Sequence, residues 1–367
     1  MFAYDKGATA GTATASKTFT YGWPTPMSSS NGTGTVRLYY KYSAEGQVWW
    51  EKVSLAECSG ENGAAKPRKP ARIAAAWWTL PGDGFWPNGT EVNHLPYWER
   101  WLDHVGSQVP KVDLALLPEC FNGCGAERTI DCVQPLMGPS GQLLQRMAKK
   151  YSMYVVGTFY AWGNSKNSSD LAYNSAPVFD RNGTLMGVHN KNMLYDPEED
   201  YGVSPGRDGF PVFETDVGRF GIMTCCESWF PESARLLRYN GADVVLFPNA
   251  GYDPRLMAAR AADSGVVVVA APHHANPEGS ANIWDSAGNT GGQMYDSETD
   301  AGTQILDFTR DNATQTVYAT LDLSFKWSPD WNGGDMNSGP GGRRARFTGI
   351  DDLEQQVADA AHEWWRK

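Results

Sequence analysis

The sequence has no apolar stretch near the roughly 20 residues that a membrane-spanning helix needs, and it has no excess of positive charge. Its 31 Lys and Arg against 42 Asp and Glu give a formal net charge of -11. Because neutralising phosphates takes a surplus of basic side chains, we expect neither nucleic acid nor an anionic membrane as a partner. The first residues, Met-Phe-Ala-Tyr-Asp-Lys, also lack the charged start and apolar core of a secretion signal.

Metal-binding patterns are missing as well. The six cysteines form no Cys-x-x-Cys unit and no Cys/His spacing of the kind that holds zinc. His273 and His274 follow an apolar run, but acidic ligands at helical or hairpin spacing are missing, so a pocket or hydrogen-bonding role for His273 is favoured over a metal site. We therefore expect no metal and no cofactor.

The compartment is left open between cytoplasmic and secreted. Five Asn-x-Ser/Thr sequons favour export, although ordinary Asn-Gly turns account for them equally well. The loop Cys120–Cys132 holds three cysteines in thirteen residues. In an exported protein it could contain a disulfide at the rim of a pocket, and in a cytosolic protein these cysteines would pack as small apolar groups.

Composition divides the chain into four parts. Residues 1–60 are predicted to be a β-rich extension, since residues 35–42 and 47–55 alternate around a turn as a hairpin does. The second strand resembles the closing strands of β-sandwich modules attached to extracellular carbohydrate-active enzymes. Residues 61–70 are a predicted linker, 71–325 the main domain, and 326–367 a loop and helix that could contact another subunit.

The main domain alternates apolar strands with amphipathic helices, which predicts an α/β fold with helices covering a sheet. Strands are expected at 72–78, 112–119, 153–160, 242–248 and 266–270, helices at 92–109, 139–151 and 255–264, and a hairpin at 176–188. Residues 219–224 should form another strand, and the helix after it should begin at Pro231.

Three polar side chains fall where these elements end. Glu119 closes one predicted strand, Lys191 follows the hairpin, and Cys225 or Cys226 lies on the turn before Pro231. A carboxylate, an ammonium group and a thiol in one place supply a base, an oxyanion partner and a nucleophile. Considered singly, each has an ordinary structural explanation: a solvated acid, a solvated lysine and a pair of buried cysteines.

Together these segments resemble the carbon–nitrogen hydrolase, or nitrilase, superfamily. Asp113-Leu-Ala-Leu-Leu-Pro-Glu119 is similar to its strand ending in Pro-Glu, and Lys191-x-x-Leu194 to its Lys-x-x-Leu. Gly221-Ile-Met-Thr-Cys-x-Glu-x-x-Phe-Pro-Glu232 is similar to its nucleophile segment. The resemblance implies a four-layer α-β-β-α sandwich, a homodimer or higher homo-oligomer, and a Glu119-Lys191-Cys225 triad.

The family's spacing to the final Glu of Phe-Pro-Glu selects Cys225 as the nucleophile. Cys226 then contributes a backbone N–H to an oxyanion hole. A second glutamate that bonds to the lysine is implied, and the best register makes it Glu199, with Glu198 or Asp200 reached by a shift of one residue. Further pocket residues expected are Glu227, Trp229 and Asn249, which lie in the matching segments, and His273, which follows a predicted strand.

The resemblance thus implies an amidohydrolase that cleaves a linear amide or N-carbamoyl compound through a cysteine thioester and releases ammonia or an amine. One alternative is a nitrilase that converts a nitrile to an acid and ammonia. Another is a catalytically silent binding protein on the same fold, for example one that recognises a glycan through its Trp-rich N-terminal strands.

Overall fold

A computed structural model describes residues 69–77, 94–123, 132–163, 171–273, 280–286, 288–290 and 305–323. All of them belong to one compact unit that begins at Arg68. The predicted N-terminal β extension and the C-terminal helix lie outside these residues. Within the described part of the chain, no helix is long and apolar enough to cross a bilayer. The homo-oligomer implied by the resemblance stays a prediction.

Helices and strands alternate along this unit. The helices are α1 (Leu95–Gly106), α2 (Pro139–Tyr151), α3 (Asp196–Asp200), α4 (Pro231–Tyr239) and α5 (Pro254–Ser264), with a 3-10 helix at Cys225–Trp229. The strands are β1 (Ala71–Ala76), β2 (Leu114–Leu116), β3 (Gln134–Pro135), β4 (Tyr154–Val156), β5 (Phe159–Trp162), β6 (Ala172–Phe179), β7 (Leu185–Asn190), β8 (Val212–Glu214), β9 (Arg219–Ile222), β10 (Val244–Asn249), β11 (Val267–Pro272), β12 (Asn282–Trp284), β13 (Ile305–Asp311) and β14 (Thr316–Leu321).

The strands form two mixed sheets. The larger sheet has the order β13-β14-β1-β2-β4-β6-β5-β3, and β7 pairs with β6. In it β1, β2 and β4 run parallel, while β6 and β7 form the predicted antiparallel hairpin. The smaller sheet has the order β12-β11-β10-β9-β8, with β9, β10 and β11 parallel. Parallel neighbours need crossover connections, and α4 and α5 supply them in the smaller sheet.

Three apolar clusters define four layers. The largest holds side chains of both sheets, including Leu116, Phe220 and Leu246, so the sheets pack face to face. A second lies between the larger sheet and the helices α1 and α2, and a third between the smaller sheet and the helices α4 and α5. The order of layers is therefore α-β-β-α, which confirms the predicted fold class.

Most predicted elements appear close to their expected positions. The helix predicted at 139–151 has those bounds as α2, and α4 begins at Pro231 as expected. The strand predicted at 112–119 is shorter, because its parallel partners β1 and β4 match only Leu114–Leu116. The strand predicted at 153–160 is two strands, β4 and β5. Both pair with β6, at different stretches of it, but β4 also pairs with β2 and β5 with β3.

Candidate active site

Glu119 and Lys191 meet inside the larger sheet. Glu119 follows the carboxyl end of β2, and Lys191 follows β7, where its N–H donates to the carbonyl of Asn174. The side chain of Lys191 is only 1% exposed, and its Nζ donates to Glu119 Oε1 at 2.9 Å. Charged side chains are seldom buried unless they are paired, so this contact secures both groups where two strands end.

Cys225 reaches the same place from the smaller sheet. It begins the 3-10 helix that follows β9, and its φ of 47° is in the left-handed region, which a non-glycine side chain rarely adopts. Such strain costs about 1–3 kcal/mol and concentrates at functional sites. The Cys225 side chain lies close enough to Glu119 and to the backbone N–H of Ala250 for both to influence the pKa of its thiol. The structure therefore brings the three sequence-predicted groups together.

A second carboxylate holds the lysine, and it is Glu198 rather than Glu199. Lys191 Nζ donates to Glu198 Oε2 at 2.6 Å, and Glu198 is 2% exposed. The choice of Glu199 as the lysine partner was wrong: Glu199 is exposed on α3. The physical reason is that α3 turns Glu198 inward, where its Oε2 also accepts from the backbone N–H of Tyr195 at its own N-cap.

Two more residues of this cluster were missed by the sequence analysis. Asn174 Nδ2 donates to Glu119 Oε1 at 2.9 Å and to Glu198 Oε1 at 2.8 Å. The Tyr160 hydroxyl donates to Glu198 Oε1 at 3.1 Å. Both lie opposite each other on the paired strands β5 and β6 and are buried. The available signal was an asparagine in a predominantly apolar strand, next to Ser175.

Burial and neighbouring charge set the protonation of these groups. Burial raises the pKa of Glu119, and the nearby Lys191 ammonium only partly offsets this. Burial lowers the pKa of Lys191, but the carboxylates of Glu119 and Glu198 raise it by more, so it is well above its usual range. Burial and the Glu119 charge raise the pKa of Cys225 well above that of a free thiol. Cys225 is therefore held as a neutral thiol beside the Glu119 carboxyl.

Cys226 lies one residue further into the 3-10 helix, where backbone N–H groups have no intrahelical partner. Its thiol donates to the carbonyl of Met193 at 2.9 Å. Burial raises the pKa of this thiol to about 12. The sulfur of Cys226 thus ties the turn that carries Cys225 to the segment after Lys191, and its raised pKa disfavours the thiolate.

Glu227 lies behind the nucleophile turn rather than in the pocket where we expected it. Its Oε2 accepts from the backbone N–H of Thr224 at 2.7 Å and lies 2.9 Å from His189 Nε2, and its Oε1 accepts from the backbone N–H of Asn192 at 2.7 Å. Burial opposes its ionisation, but the His189 charge and these hydrogen bonds lower the pKa of Glu227. Glu227 therefore clamps the lysine segment to the nucleophile turn.

Trp229 also departs from its predicted pocket position, since 71% of the residue is exposed at the end of the 3-10 helix. Its carbonyl is bound by the buried Arg260 of α5, which also donates from Nε to the carbonyl of Ser228 at 3.0 Å. The nucleophile helix is thereby held at its C-terminal end by a guanidinium group rather than by packing of the indole.

Asn249 ends β10, the neighbour of β9, and His273 directly follows β11, the next strand of the smaller sheet. Asn249 is fully buried, and its Nδ2 donates to the carbonyl of Phe247 at 2.8 Å. The backbone N–H of His273 donates to the carbonyl of Asn249 at 2.8 Å, and its Nε2 lies 3.4 Å from the carbonyl of Cys120. His273 thus links the end of the smaller sheet to the loop that carries Glu119, and its pocket role stays a prediction.

Cys120 and Cys132, which follow Glu119 in the chain, differ in oxidation state. Cys120 is a free thiol with φ 47°, and Cys132 is disulfide-bonded. Cys120 packs with Tyr160, and Cys132 lies against the same cluster. In the described ranges, which omit residues 124–131, no group of three or more His, Cys, Asp or Glu could hold a metal ion.

The carbon–nitrogen hydrolase family model matches residues 88–324, which is more than half of the chain. Among curated proteins, a citrullinase of Francisella tularensis is 34% identical over 122 residues, or 32% of this chain and 41% of the relative. An N-carbamoylputrescine amidase of Solanum tuberosum is 30% identical over 39% of this chain and 49% of the relative. The chain therefore spans about half the length of the curated relatives it matches.

Solved structures share the fold. Nit3 of Saccharomyces cerevisiae, a member of the nitrilase superfamily, superposes with a TM-score of 0.54 at 23% identity and covers 71% of this chain and 93% of that one. An amidase from Nesterenkonia sp. gives a TM-score of 0.53 at 21% identity, with 71% and 94% covered. At these identities the likeness establishes the four-layer architecture alone.

Proposed function

The chain belongs to the carbon–nitrogen hydrolase family, and from that premise we propose that it is an amidohydrolase of non-peptide C–N bonds. Its substrates are linear amides or N-carbamoyl compounds, and its products are a carboxylic or carbamic acid and ammonia or an amine. Relatives named for N-carbamoylputrescine and for an ω-amidase support this substrate class.

One observation carries the proposal: a buried ammonium group lies between two carboxylates, and one of these carboxylates lies beside a thiol on a strained turn. A binding protein has no use for this arrangement, because burying three charged groups costs free energy that only their mutual contacts offset. Chemistry at the thiol gives each of the three groups a task.

Glu119 acts as the base. Because the pKa of Cys225 is raised, the thiolate is not preformed at neutral pH, and Glu119 takes the Sγ proton as sulfur attacks the carbonyl carbon. A C–S bond forms, and the carbonyl oxygen becomes an oxyanion. The proton on Glu119 then passes to the leaving nitrogen as the C–N bond breaks, which releases ammonia or an amine and leaves a thioester.

Lys191 and the backbone N–H of Cys226 stabilise the oxyanion. An ammonium group has three N–H donors, and within the described residues Lys191 commits two of them, one to Glu119 and one to Glu198. The third is available for the substrate oxygen. The raised pKa of Lys191 keeps this group charged across the working pH range.

Water completes the reaction. Glu119, ionised again after the amine has left, removes a proton from water, which attacks the thioester carbon. The C–S bond breaks, the acid is released, and the thiol of Cys225 recovers its proton. No step requires a redox partner or a second substrate other than water.

A screen for ammonia release tests the proposal. We expect the purified chain to release ammonia from at least one member of a panel of linear amides and N-carbamoyl compounds, and Cys225→Ala to abolish that release. Cys226→Ala is the matched control and should retain turnover, because alanine keeps the backbone N–H. Turnover that survives in Cys225→Ala would contradict the assigned nucleophile, and selective alkylation of Cys225 by iodoacetamide gives an independent readout.

A second candidate is nitrile hydrolysis, which is favoured by one relative named as a probable nitrilase of Schizosaccharomyces pombe, 32% identical over 44% of this chain. The same thiol would attack the nitrile carbon, and water would complete the conversion to an acid and ammonia. Nitriles therefore belong in the panel. Ammonia release from nitriles alone would replace the amidase proposal, and a panel without any turnover would leave a silent binding protein as the better explanation.

A further inference from the structure

Asn174 occupies a central position between the two carboxylates of the candidate site. Its Nδ2 lies 2.9 Å from Glu119 Oε1 and 2.8 Å from Glu198 Oε1, and the residue is fully buried. Its backbone carbonyl accepts from the N–H of Lys191 at 2.9 Å. One residue of β6 therefore contacts the base, the second carboxylate and the backbone of the lysine.

The amide of Asn174 serves these carboxylates alone. A side-chain amide has two N–H donors, and both are directed at carboxylate oxygens here. Its Oδ1 has no hydrogen-bond partner among the described residues. A buried acceptor without a partner reduces stability. The two N–H donors of Asn174 are therefore the reason why an asparagine suits this position, although its Oδ1 lowers the stability of the fold. If the side-chain amide were flipped by 180°, Oδ1 would face both carboxylates, and the repulsion between these oxygens makes that orientation unfavourable.

We propose that Asn174 is a positioning residue that fixes Glu119 and Glu198 on either side of Lys191, so that the base stays aligned with the Cys225 thiol. This inference rests on the proposed function, because it assigns Asn174 a part in the same reaction. Asn174 touches no reacting atom and acts through Glu119.

Charge explains why an amide suits this position. The cluster already holds two carboxylates and one ammonium group, and a second cation would compete with Lys191 for both acids. A neutral donor holds the acids without adding charge, and hydrogen bonds to a carboxylate favour its ionised form. The titratable groups that face or adjoin this amide, from every element packed around it, are Glu119, Lys191, Glu198, Tyr160, Cys120 and Cys225.

Two variants test the inference against a matched control. Asn174→Leu removes both donors at similar volume, and Asn174→Asp keeps the shape but replaces the donors with acceptors. The control is Ser175→Ala, which removes a buried hydroxyl from the next residue of β6, where it donates to Asn190 Oδ1 at 2.8 Å on the opposite face. Thermal unfolding of each variant verifies that it is folded.

We expect kcat to fall on the order of 100-fold in both Asn174 variants, the loss typical of a misplaced catalytic group, while KM is nearly unchanged. The acid limb of kcat/KM should move to higher pH, because Glu119 loses a hydrogen bond that favours its ionised form. Ser175→Ala should keep the wild-type limb. A folded Asn174 variant with wild-type kcat and an unmoved limb would overturn the inference.

The rate of Cys225 alkylation by iodoacetamide, measured against pH, separates this inference from the proposed function. It needs no substrate, and its acid limb reports the same base. If the wild-type chain hydrolyses nothing in the panel, the proposed function is contradicted. The acid limb of the alkylation rate in Asn174→Leu still tests the positioning role of Asn174. An acid limb that lies at higher pH in Asn174→Leu than in Ser175→Ala supports the positioning role, and acid limbs that coincide refute it.

Discussion

The Glu119 carboxyl has to be ionised to accept a proton, and its buried position works against ionisation. Its pKa is raised mainly by desolvation, with the Glu198 charge acting in the same direction and Lys191 in the opposite one. In the proposed mechanism, the protonation state of this one carboxyl decides whether Cys225 can be activated.

The direction of the Glu119 pKa shift predicts how kcat/KM depends on pH. A raised pKa means that Glu119 keeps its proton to a higher pH than an ordinary glutamate, whose pKa is about 4.3. We therefore predict that kcat/KM falls with decreasing pH along a limb whose midpoint lies above about 4.3. Steady-state rates between pH 4 and pH 9 at constant ionic strength measure it. A limb at or below the ordinary value would show that a different group is the base.

Glu198 and Glu199 are neighbours with opposite surroundings, which makes them a matched pair. Glu198→Gln removes the charge that Lys191 contacts at 2.6 Å, so the ammonium group shifts and kcat should fall on the order of 100-fold. Glu199→Gln changes an exposed side chain, and the rate should stay within about twofold of wild type. Equal losses in the two variants would argue against Glu198 as the lysine partner.

At the scale of single elements, the sequence located the turn that carries Cys225 and the start of α4, because Pro231 and the apolar spacing are local signals. Local sequence signals did not predict which side of α3 faces the interior. α3 has only five residues, and a helix of barely more than one turn has no apolar periodicity to orient it, so Glu198 and Glu199 were equivalent by pattern.

Tertiary contacts decided the rest. The break between β4 and β5 falls at Gly157 and Thr158, where the Thr158 hydroxyl accepts from the backbone N–H of Cys120 and its carbonyl accepts from that of Phe121. These contacts hold the loop that follows Glu119. They join residues far apart in sequence, so no local sequence pattern predicts the break between β4 and β5. Asn174 was missed for the same reason, since its role depends on two acids from other elements.

The clamp made by Glu227 joins two elements, the segment after β7 and the 3-10 helix of the nucleophile. Replacing one partner of a buried pair leaves the other uncompensated, which typically costs about 3–5 kcal/mol. We predict that Glu227→Gln lowers the free energy of unfolding by this amount at pH 7, as urea titration would measure. Glu199→Gln, which changes an exposed carboxylate, should stay close to wild type.

The contribution of Glu227 should also depend on pH. Its folded pKa is lowered, so the stability gained from its charge is fully present above the unfolded pKa of about 4.3 and is lost as the pH falls through the folded value. The difference between wild type and Glu227→Gln should therefore shrink in acid. A difference that stays constant from pH 7 to pH 3 would mean that shape rather than charge makes the clamp.

On the scale of the whole molecule, the site exists only because two sheets face each other. Glu119 and Lys191 come from the larger sheet and Cys225 from the smaller one, so the distance between base and nucleophile depends on the packing between the sheets. In the proposed mechanism, the apolar cluster between the sheets therefore helps to align Glu119 with Cys225, although none of its side chains takes part in the chemistry. Arg181 supports the same packing, since it bridges Asp113 of the larger sheet and Asp216 of the β8–β9 turn.

Leu246 of β10 tests this dependence, because it is fully buried in the cluster between the sheets. Leu246→Ala should lower the free energy of unfolding by about 2–5 kcal/mol through lost burial and the cavity that remains. It should also reduce kcat more than it changes KM, since a small shift between the sheets misaligns Glu119 and Cys225. Leu306→Ala, at a residue that is 51% exposed on β13, is the control and should change the unfolding free energy by no more than about 0.5 kcal/mol. If Leu246→Ala were destabilised but kept the wild-type kcat, the two sheets would not need to hold a fixed separation for catalysis.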